Sequence, residues 1–325
     1  MKRILVPLVL FVTTFYSLPL LAQQNWSSWV AELKQETVSQ GVDPSLFDRL
    51  FANVQPSRQI LQFDRSQPEG RLTFRKYRRT RGDPYKISLG QQNLQKHKDL
   101  LEEIGYKYKV DPCFIVALWG MESSYGNYLG DFPVIKSLAT LAYGSSRSGF
   151  FRNELIYALH ILNEGHVTPD KFKGEWAGAS GQPQFLPSSW YKYAVDYTGN
   201  GRKDIWTNLP DTFASVANYL KQNGWSPEEP WAIQVKLPAD FDEEWQGKER
   251  ELLVSDWDDL GVRTAKGEAL PYQNLSASVI IPDGGPNILA FNNFKVLLTY
   301  NNSIYYAGTV GHMADNICKR DNKIA

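Results

Sequence analysis

The stretch DPCFIVALWGMESSYGNYLG sets a single glutamate, Glu122, at the end of a strongly apolar run. Asp111 and Pro112 form a helix start: an N-cap carboxylate followed by a proline at the first helical position. The helix is expected to run to about Ser123, ahead of Tyr125 and Gly126. Ile115, Leu118, Trp119 and Glu122 stand at i, i+3, i+4 and i+7, so the carboxyl shares a face with three large apolar side chains. Desolvation there would raise its pKa and keep it protonated near neutral pH, the state a general acid needs. The alternative is a helix-end glutamate that turns out to solvent, and this helix alone does not choose between the two.

Two further segments could do chemistry. In GASGQPQFLP, residues 178–187, glycines and prolines surround Gln184 and Phe185. Such a loop lets backbone approach a ligand closely, and an amide side chain can bond hydroxyl or N-acetyl groups. A tight turn capped by the glutamine is the other reading. In DYTGNGRKDIWTNLPD, Asp196, Thr198 and Asn200 take positions 1, 3 and 5 of an EF-hand-like calcium loop, with Gly201 at position 6 and the Arg202 carbonyl at position 7. Position 12 is Thr207 instead of an acid, so closure would fall to Asp211 or Asp204. With Thr198 and Asn200 neutral, such a structural calcium site would be weak. A glycine-rich turn held by Asx bonds is the alternative.

The chain has 325 residues, 42% of them hydrophobic, enough for a sizeable core and more than one minimal domain. Lys+Arg and Asp+Glu both number 35, which argues against nucleic acid as a partner. Lys2 and Arg3, the apolar run Ile4 to Leu21 and Leu20-Leu21-Ala22 before Gln23 have the form of a cleavable secretory signal; a membrane-anchor helix is the alternative, weakened by Pro7, Pro19 and the polar start that follows. No cysteine lies near that site, so lipoprotein processing is not indicated. No later stretch is apolar enough to span a bilayer. The expectation is a periplasmic protein without a membrane anchor. Export permits a disulfide between Cys113 and Cys318, which would tie the glutamate helix to the C-terminal segment; two buried thiols are the alternative. The four histidines are scattered without zinc-ligand spacing.

The elements that must position these residues follow from periodicity and breakers. Two short helices are expected within Trp26–Leu50, the second opened by Asp43-Pro44. Phe63 to Arg81 is basic, aromatic and expected to be loop-rich. One long helix is expected from Ser88 to Lys109, another from Phe150 to Glu164, and one capped by Asp211 and stopped by Gly224. After Trp225 the chain turns acidic and proline-punctuated, with β-like pieces at Trp231–Leu237 and Ser276–Ile281. Phe294 to Tyr300 alternates as a strand or extended segment, and a final helix spans roughly Tyr305 to Asn316. The expected organisation is a signal peptide (1–22), an N-terminal helical region (23–87), a helical catalytic core (88–225), a small β-containing subdomain (226–285) and a C-terminal segment returning to the core (286–325).

Taken together, ALWGMESSYG, GEWAGASGQPQFLPSSWYKYAVD, DTFASVANYLKQNGW and NFKVLLTYNNSIYYAGTVG, in that order, resemble the MltB-type lytic murein transglycosylases of glycoside hydrolase family 103. The upstream QFDRSQPEGRLTFRKY is similar too, so the resemblance covers nearly all of the chain after the signal. It implies a mainly α (α+β) fold with a lysozyme-like helical core. It also implies peptidoglycan glycan strands as substrate, cleaved between N-acetylmuramic acid and N-acetylglucosamine with no cofactor required for the chemistry. Family members use one glutamate as acid and then base, and Glu122 matches it. The muramic C6 hydroxyl attacks its own C1 and leaves a 1,6-anhydro end.

By the same resemblance Gln184 and Phe185 line the glycan cleft, and Tyr300, Asn301 and Tyr306 match cleft residues close to the acid. Arg147 matches an arginine that would meet the peptide stem or lactyl carboxylate; a solvated helix-start cation is its other reading. Gln182-Pro183 sits where family sequences vary and is given no role. Ordinary glycosidases need two carboxylates, about 5–5.5 Å or about 6.5–9.5 Å apart. Near Glu122 in sequence only Asp131 follows, in an expected loop, which suits a one-carboxylate route. Glu175 departs from the family, which commonly has serine just before the aromatic of the WAGA motif. Facing the cleft, it would raise the pKa of Glu122 or act as a second carboxylate; turned to water, it would do neither.

Overall fold

The computed structural model describes residues 25–66 and 72–320; the expected signal peptide lies outside them. The chain opens with α1 (Trp26–Ser39), α2 (Pro44–Phe51), α3 (Arg58–Arg65) and α4 (Phe74–Arg81). The start of α2 is as expected, with Asp43 accepting the Ser45 N–H at 2.8 Å and Pro44 in the first turn. Of the stretch Phe63–Arg81, expected to be loop-rich, the described residues are instead largely helical. Thr73 caps α4, and buried Phe74 packs edge-on to Tyr305 at 5.6 Å. One apolar anchor and a cap suffice there, because arginine and lysine are themselves good helix formers.

The single helix expected over Ser88–Lys109 is two, α5 (Pro84–Lys96) and α6 (Lys98–Tyr108), broken at His97. The His97 ring lies edge-on to Trp119 and Phe213, so the bend lets both helices lie against the centre of the fold. That centre is α7 (Pro112–Ser123), begun by Asp111 and Pro112 as predicted. Cys113 to Gly120 are all buried, so the helix is apolar all round and surrounded, not a one-faced stripe. Helices α5, α6, α11 and α14 pack on it.

A hairpin of α8 (Val134–Gly144) and α9 (Ser148–Asn163) follows, flanked by the antiparallel pair β1 (Phe132–Pro133) and β2 (Lys173–Gly174). Then come α10 (Pro187–Tyr193) and α11 (Leu209–Gln222). The cap of α11 is Asn208, not Asp211, which sits one turn inside and fully buried.

The β-containing part is a five-stranded antiparallel sheet of order β4-β6-β7-β3-β5. Its strands are β3 (Ala232–Lys236), β4 (Leu252–Leu253), β5 (Arg263–Thr264), β6 (Ser276–Ile280) and β7 (Ile288–Ala290), with α12 (Val254–Asp259) beside it. It has its own core, including Val235, Trp257, Val279 and Phe291. The first core runs from Trp29 to Ile317, so the N-terminal helices share it with the helical centre.

The segment Phe294–Tyr300, expected to be extended, is helix α13 (Asn292–Tyr300). Its apolar residues fit either period, and buried Asn293 decides through its side-chain amide, which accepts from the Ser226 N–H and donates to the Ser226 and Glu229 carbonyls. The last helix is α14 (Ile304–Ile317), and a disulfide joins Cys113 to Cys318 across a sequence separation of 205 with Cα atoms 6.0 Å apart. Beside it Arg320 pairs with Asp111 and, at 2.7 Å, with Asp315, while Trp231 donates to Asp315 at 3.0 Å. The start of α7, the end of α14 and the sheet are thus clasped together.

Candidate active site

Helix α7 ends within two residues of Glu122. Ser124, Tyr125 and Gly126 follow with φ of 50°, 63° and 79°, a left-handed turn that stops the helix abruptly. Tyr125 folds back over Gly120, where an added Cβ would meet its ring at 2.5 Å, and its hydroxyl donates to the Lys86 carbonyl at 2.7 Å. The carboxyl is therefore held at the helix end among packed groups, with a partly exposed side.

Tyr306 of α14 is buried, and its hydroxyl donates to Glu122 Oε1. Tyr300 stacks beside Tyr306 at 6.4 Å, donates to the Pro183 carbonyl at 2.7 Å and lies 4.6 Å from Tyr219. Burial pushes Glu122 up from 4.5 to about 7; the Tyr306 hydrogen bond pulls the other way, Glu175 pushes it further up, and Lys86 lowers it. The carboxyl is thus poised to hold a proton near neutrality and to give it up. Tyr300 and Tyr306 are held neutral, chiefly by burial and next by the charge of Glu122.

Glu175 is near enough for its charge to act on Glu122. It is half-buried, its own pKa is raised by burial and by Asp131, and Arg81 lowers it. Three neighbours escaped the sequence: Tyr77 and Lys86, which feel the charge of Glu122, and Gln182. Gln182, given no role from sequence, is buried and accepts from Trp119 Nε1 at 2.8 Å while donating to the Trp206 carbonyl at 3.2 Å. It fastens the 178–187 loop to α7, and Gly126 leaves it room: a Cβ there would come within 2.6 Å of the amide oxygen. An amide flanked by proline and glycine in an apolar loop is its one sequence signal.

Gln184 has φ of +50°, a left-handed conformation uncommon outside glycine, stabilised by donation from its amide to the Leu129 and Gly181 carbonyls. Its Oε1 is buried and takes no hydrogen bond from any described residue. Phe185, expected to line the cleft, is buried behind Tyr300 at 5.9 Å and packs on Tyr219, so it supports the wall without presenting a face. Asn301 is exposed at the end of α13, with no side-chain hydrogen bond among the described residues. Arg147 pairs with Asp64 at 2.7 Å and lies over Phe151, and nothing in the structure links it to Glu122.

The 196–211 loop is held by its own amides. Asp196 accepts from Asn200 at 3.1 Å and Gly201 at 2.7 Å, and Asn200 from the Arg202 N–H at 2.9 Å. Asp211, the expected closing ligand, accepts the N–H groups of Tyr197, Thr198 and Asp204 and is fully buried. Asp204 instead receives Trp206 and Thr207. Among the described residues, no three acid, histidine or cysteine ligand atoms converge in this loop. These bonds make the loop an Asx-bonded turn. Asp211→Asn is expected to lower the thermal midpoint equally in calcium and in EDTA; a loss confined to calcium-containing buffer would make Asp211 a metal ligand.

A groove of about 1250 Å³ opens at the other end of α7, between Asp111, Trp225, Trp231 and Arg320, and does not include Glu122.

The chain is 28% identical over 296 residues to membrane-bound lytic murein transglycosylase B of Escherichia coli K12, covering 87% of this chain and 77% of that protein. No helix among the described residues is long and apolar enough to cross a membrane. The fold superposes on SltB3 of Pseudomonas aeruginosa, solved with NAG-anhNAM-pentapeptide, with a TM-score of 0.89 and 40% identity over 93% of this chain and 81% of that one. It also superposes on Escherichia coli Slt35, solved with calcium, with a TM-score of 0.78 and 26% identity over 89% and 92% of the two chains. A family model described as a transglycosylase SLT domain matches residues 25–315, nearly the whole described chain, and the protein therefore belongs to that family of lytic murein transglycosylases.

Proposed function

We propose that the protein cleaves the bond between N-acetylmuramic acid and N-acetylglucosamine in peptidoglycan without adding water. The observation that carries this is a carboxyl at the end of α7 with its pKa raised to about 7, bonded to a buried tyrosine. Glu122 in its protonated form delivers its proton to the glycosidic oxygen as the C1–O bond breaks. The resulting carboxylate then accepts the proton of the muramic C6 hydroxyl as that oxygen bonds to C1. The glutamate is restored, and the product ends in a 1,6-anhydro ring. The nucleophile belongs to the substrate, so its effective concentration at C1 is high. Tyr306 orients the carboxyl, and Tyr300 and Gln184 hold sugar groups. This chemistry asks for no cofactor; calcium, if bound at the 196–211 loop, is structural. Murein lies outside the cytoplasm, which agrees with export to the periplasm by the N-terminal signal.

Product mass decides the reading. Digested glycan strands should carry ends lighter by one water than reducing ends; reducing ends alone would make the enzyme a hydrolytic muramidase. Glu175, whose charge reaches Glu122, is the group that favours this second reading, as a base for water.

The pH profile separates the two neighbours of Glu122. An acid must be protonated, so kcat/KM should fall as pH rises through about 7. Glu175→Ala removes a like charge and should move that fall to lower pH with the product unchanged. Tyr306→Phe removes the hydrogen bond that lowers the pKa; it should move the fall to higher pH and cost about tenfold or more in kcat. A Glu175→Ala profile superimposable on wild type would remove Glu175 from the mechanism.

A further inference from the structure

Helix α4 reads FRKYRRTR, an excess of positive charge within eight residues of a chain whose formal net charge is zero. Its inward face is fixed: Phe74 is buried, Tyr77 lies 6.0 Å from the Tyr305 ring, and the helix packs on α14. Tyr305 precedes Tyr306, the partner of Glu122, so α4 runs along the flank of the catalytic carboxyl. Arg81, at its C-terminal end, acts electrostatically on Glu175 and Lys86. The outward face carries Arg75, Lys76 and Arg79, all exposed. Arg75 donates to the Gly284 carbonyl at 3.2 Å, but neither these three nor Arg81 has an ion-pair partner among the described residues. Arg147 and Arg152, by contrast, are paired, with Asp64 and Glu36. Exposed cations without ion pairs, on a helix beside Glu122, suit an anionic part of the substrate.

Resting on the function proposed above, we infer that α4 is a rail for the stem peptide of the muramoyl residue whose bond Glu122 breaks. That peptide leaves the sugar ring beside the scissile C1 and carries free carboxylates. Its reach suits the helix: eight helical residues span about 12 Å, and a five-residue extended peptide about 17 Å. Arg79, Lys76 and Arg75, which share the outward face, meet carboxylates along the stem. The helix thereby selects strands that still bear stems.

The test compares glycan strands carrying pentapeptide stems with the same strands stripped by an amidase. Wild type should prefer the stem-bearing strands and lose that preference as salt rises. Arg75→Gln/Lys76→Gln/Arg79→Gln should lower kcat/KM on stem-bearing strands about tenfold and leave stripped strands unchanged. Arg75→Lys/Arg79→Lys should keep the preference. Equal loss on both substrates, no loss on either, or a wild type without preference would overturn the inference. So would a triple variant that keeps its preference but no longer co-sediments with phosphatidylglycerol vesicles, which would assign α4 to a membrane surface. Product mass is scored in the same digests: reducing ends would sink the transglycosylase reading and leave the strand comparison intact.

Discussion

Glu122→Gln should leave less than about a thousandth of the wild-type rate on glycan strands while raising stability above neutral pH. Each proton transfer by a positioned group contributes roughly 10²–10⁴ in rate, and in the proposed mechanism one carboxyl performs both. The amide has the same shape and still accepts the Tyr306 hydroxyl, so the wall should keep its form. The stability change follows from linkage. An unfolded glutamate ionises near 4.5, whereas folded Glu122 is raised to about 7. Its contribution is fully present below about 4.5 and is lost as pH rises through about 7, a loss of up to about 3 kcal/mol. The amide variant carries no such loss, so its advantage in thermal midpoint over wild type should grow between pH 4 and pH 8. An inactive variant whose pH–stability curve parallels wild type would mean that Glu122 is not buried as described, and undiminished digestion would remove it from catalysis.

The second large effect concerns the disulfide. Closing a loop over a separation of 205 residues restricts the unfolded chain by roughly 5 kcal/mol in the chain-entropy model. Cys113→Ser/Cys318→Ser should therefore lower the thermal midpoint by about ten degrees or more. The bridge joins α7 to α14, the helices that carry Glu122 and Tyr306. Activity well below the midpoint should change little, because the Arg320 pairs with Asp111 and Asp315 persist at the same junction. Equal midpoints for oxidised wild type and the double variant would show that the bridge does not restrain the unfolded chain. A large loss of kcat at low temperature would show instead that it sets the register of the two helices.

Local signals carried the sequence reading far where they were sufficient. Asp111-Pro112 and Asp43-Pro44 start helices because a cap and a fixed φ act within one turn. They failed where one long contact outweighed the local pattern. His97 breaks a continuous helical pattern to reach Trp119 and Phe213. Phe74 makes a helix of a charged stretch by docking beside α14. Asn293 turns an alternating segment into α13 by binding the 226–229 backbone. Among site residues, Phe185 has the right type for a cleft but lies behind Tyr300, and Arg147 is occupied by Asp64.

The sequence by itself determined the helix that bears Glu122 and where it ends, the order of the family's motifs and the pair of cysteines able to close the chain. These are local patterns or residue types, legible without a partner. Only the tertiary structure decided what surrounds Glu122. Tyr306 lies 184 residues away, Gln182 fastens a loop to Trp119, and Tyr77 and Lys86 come in from the N-terminal helices. A raised pKa depends on which groups exclude water and which charges lie close, and that is fixed when distant segments pack together.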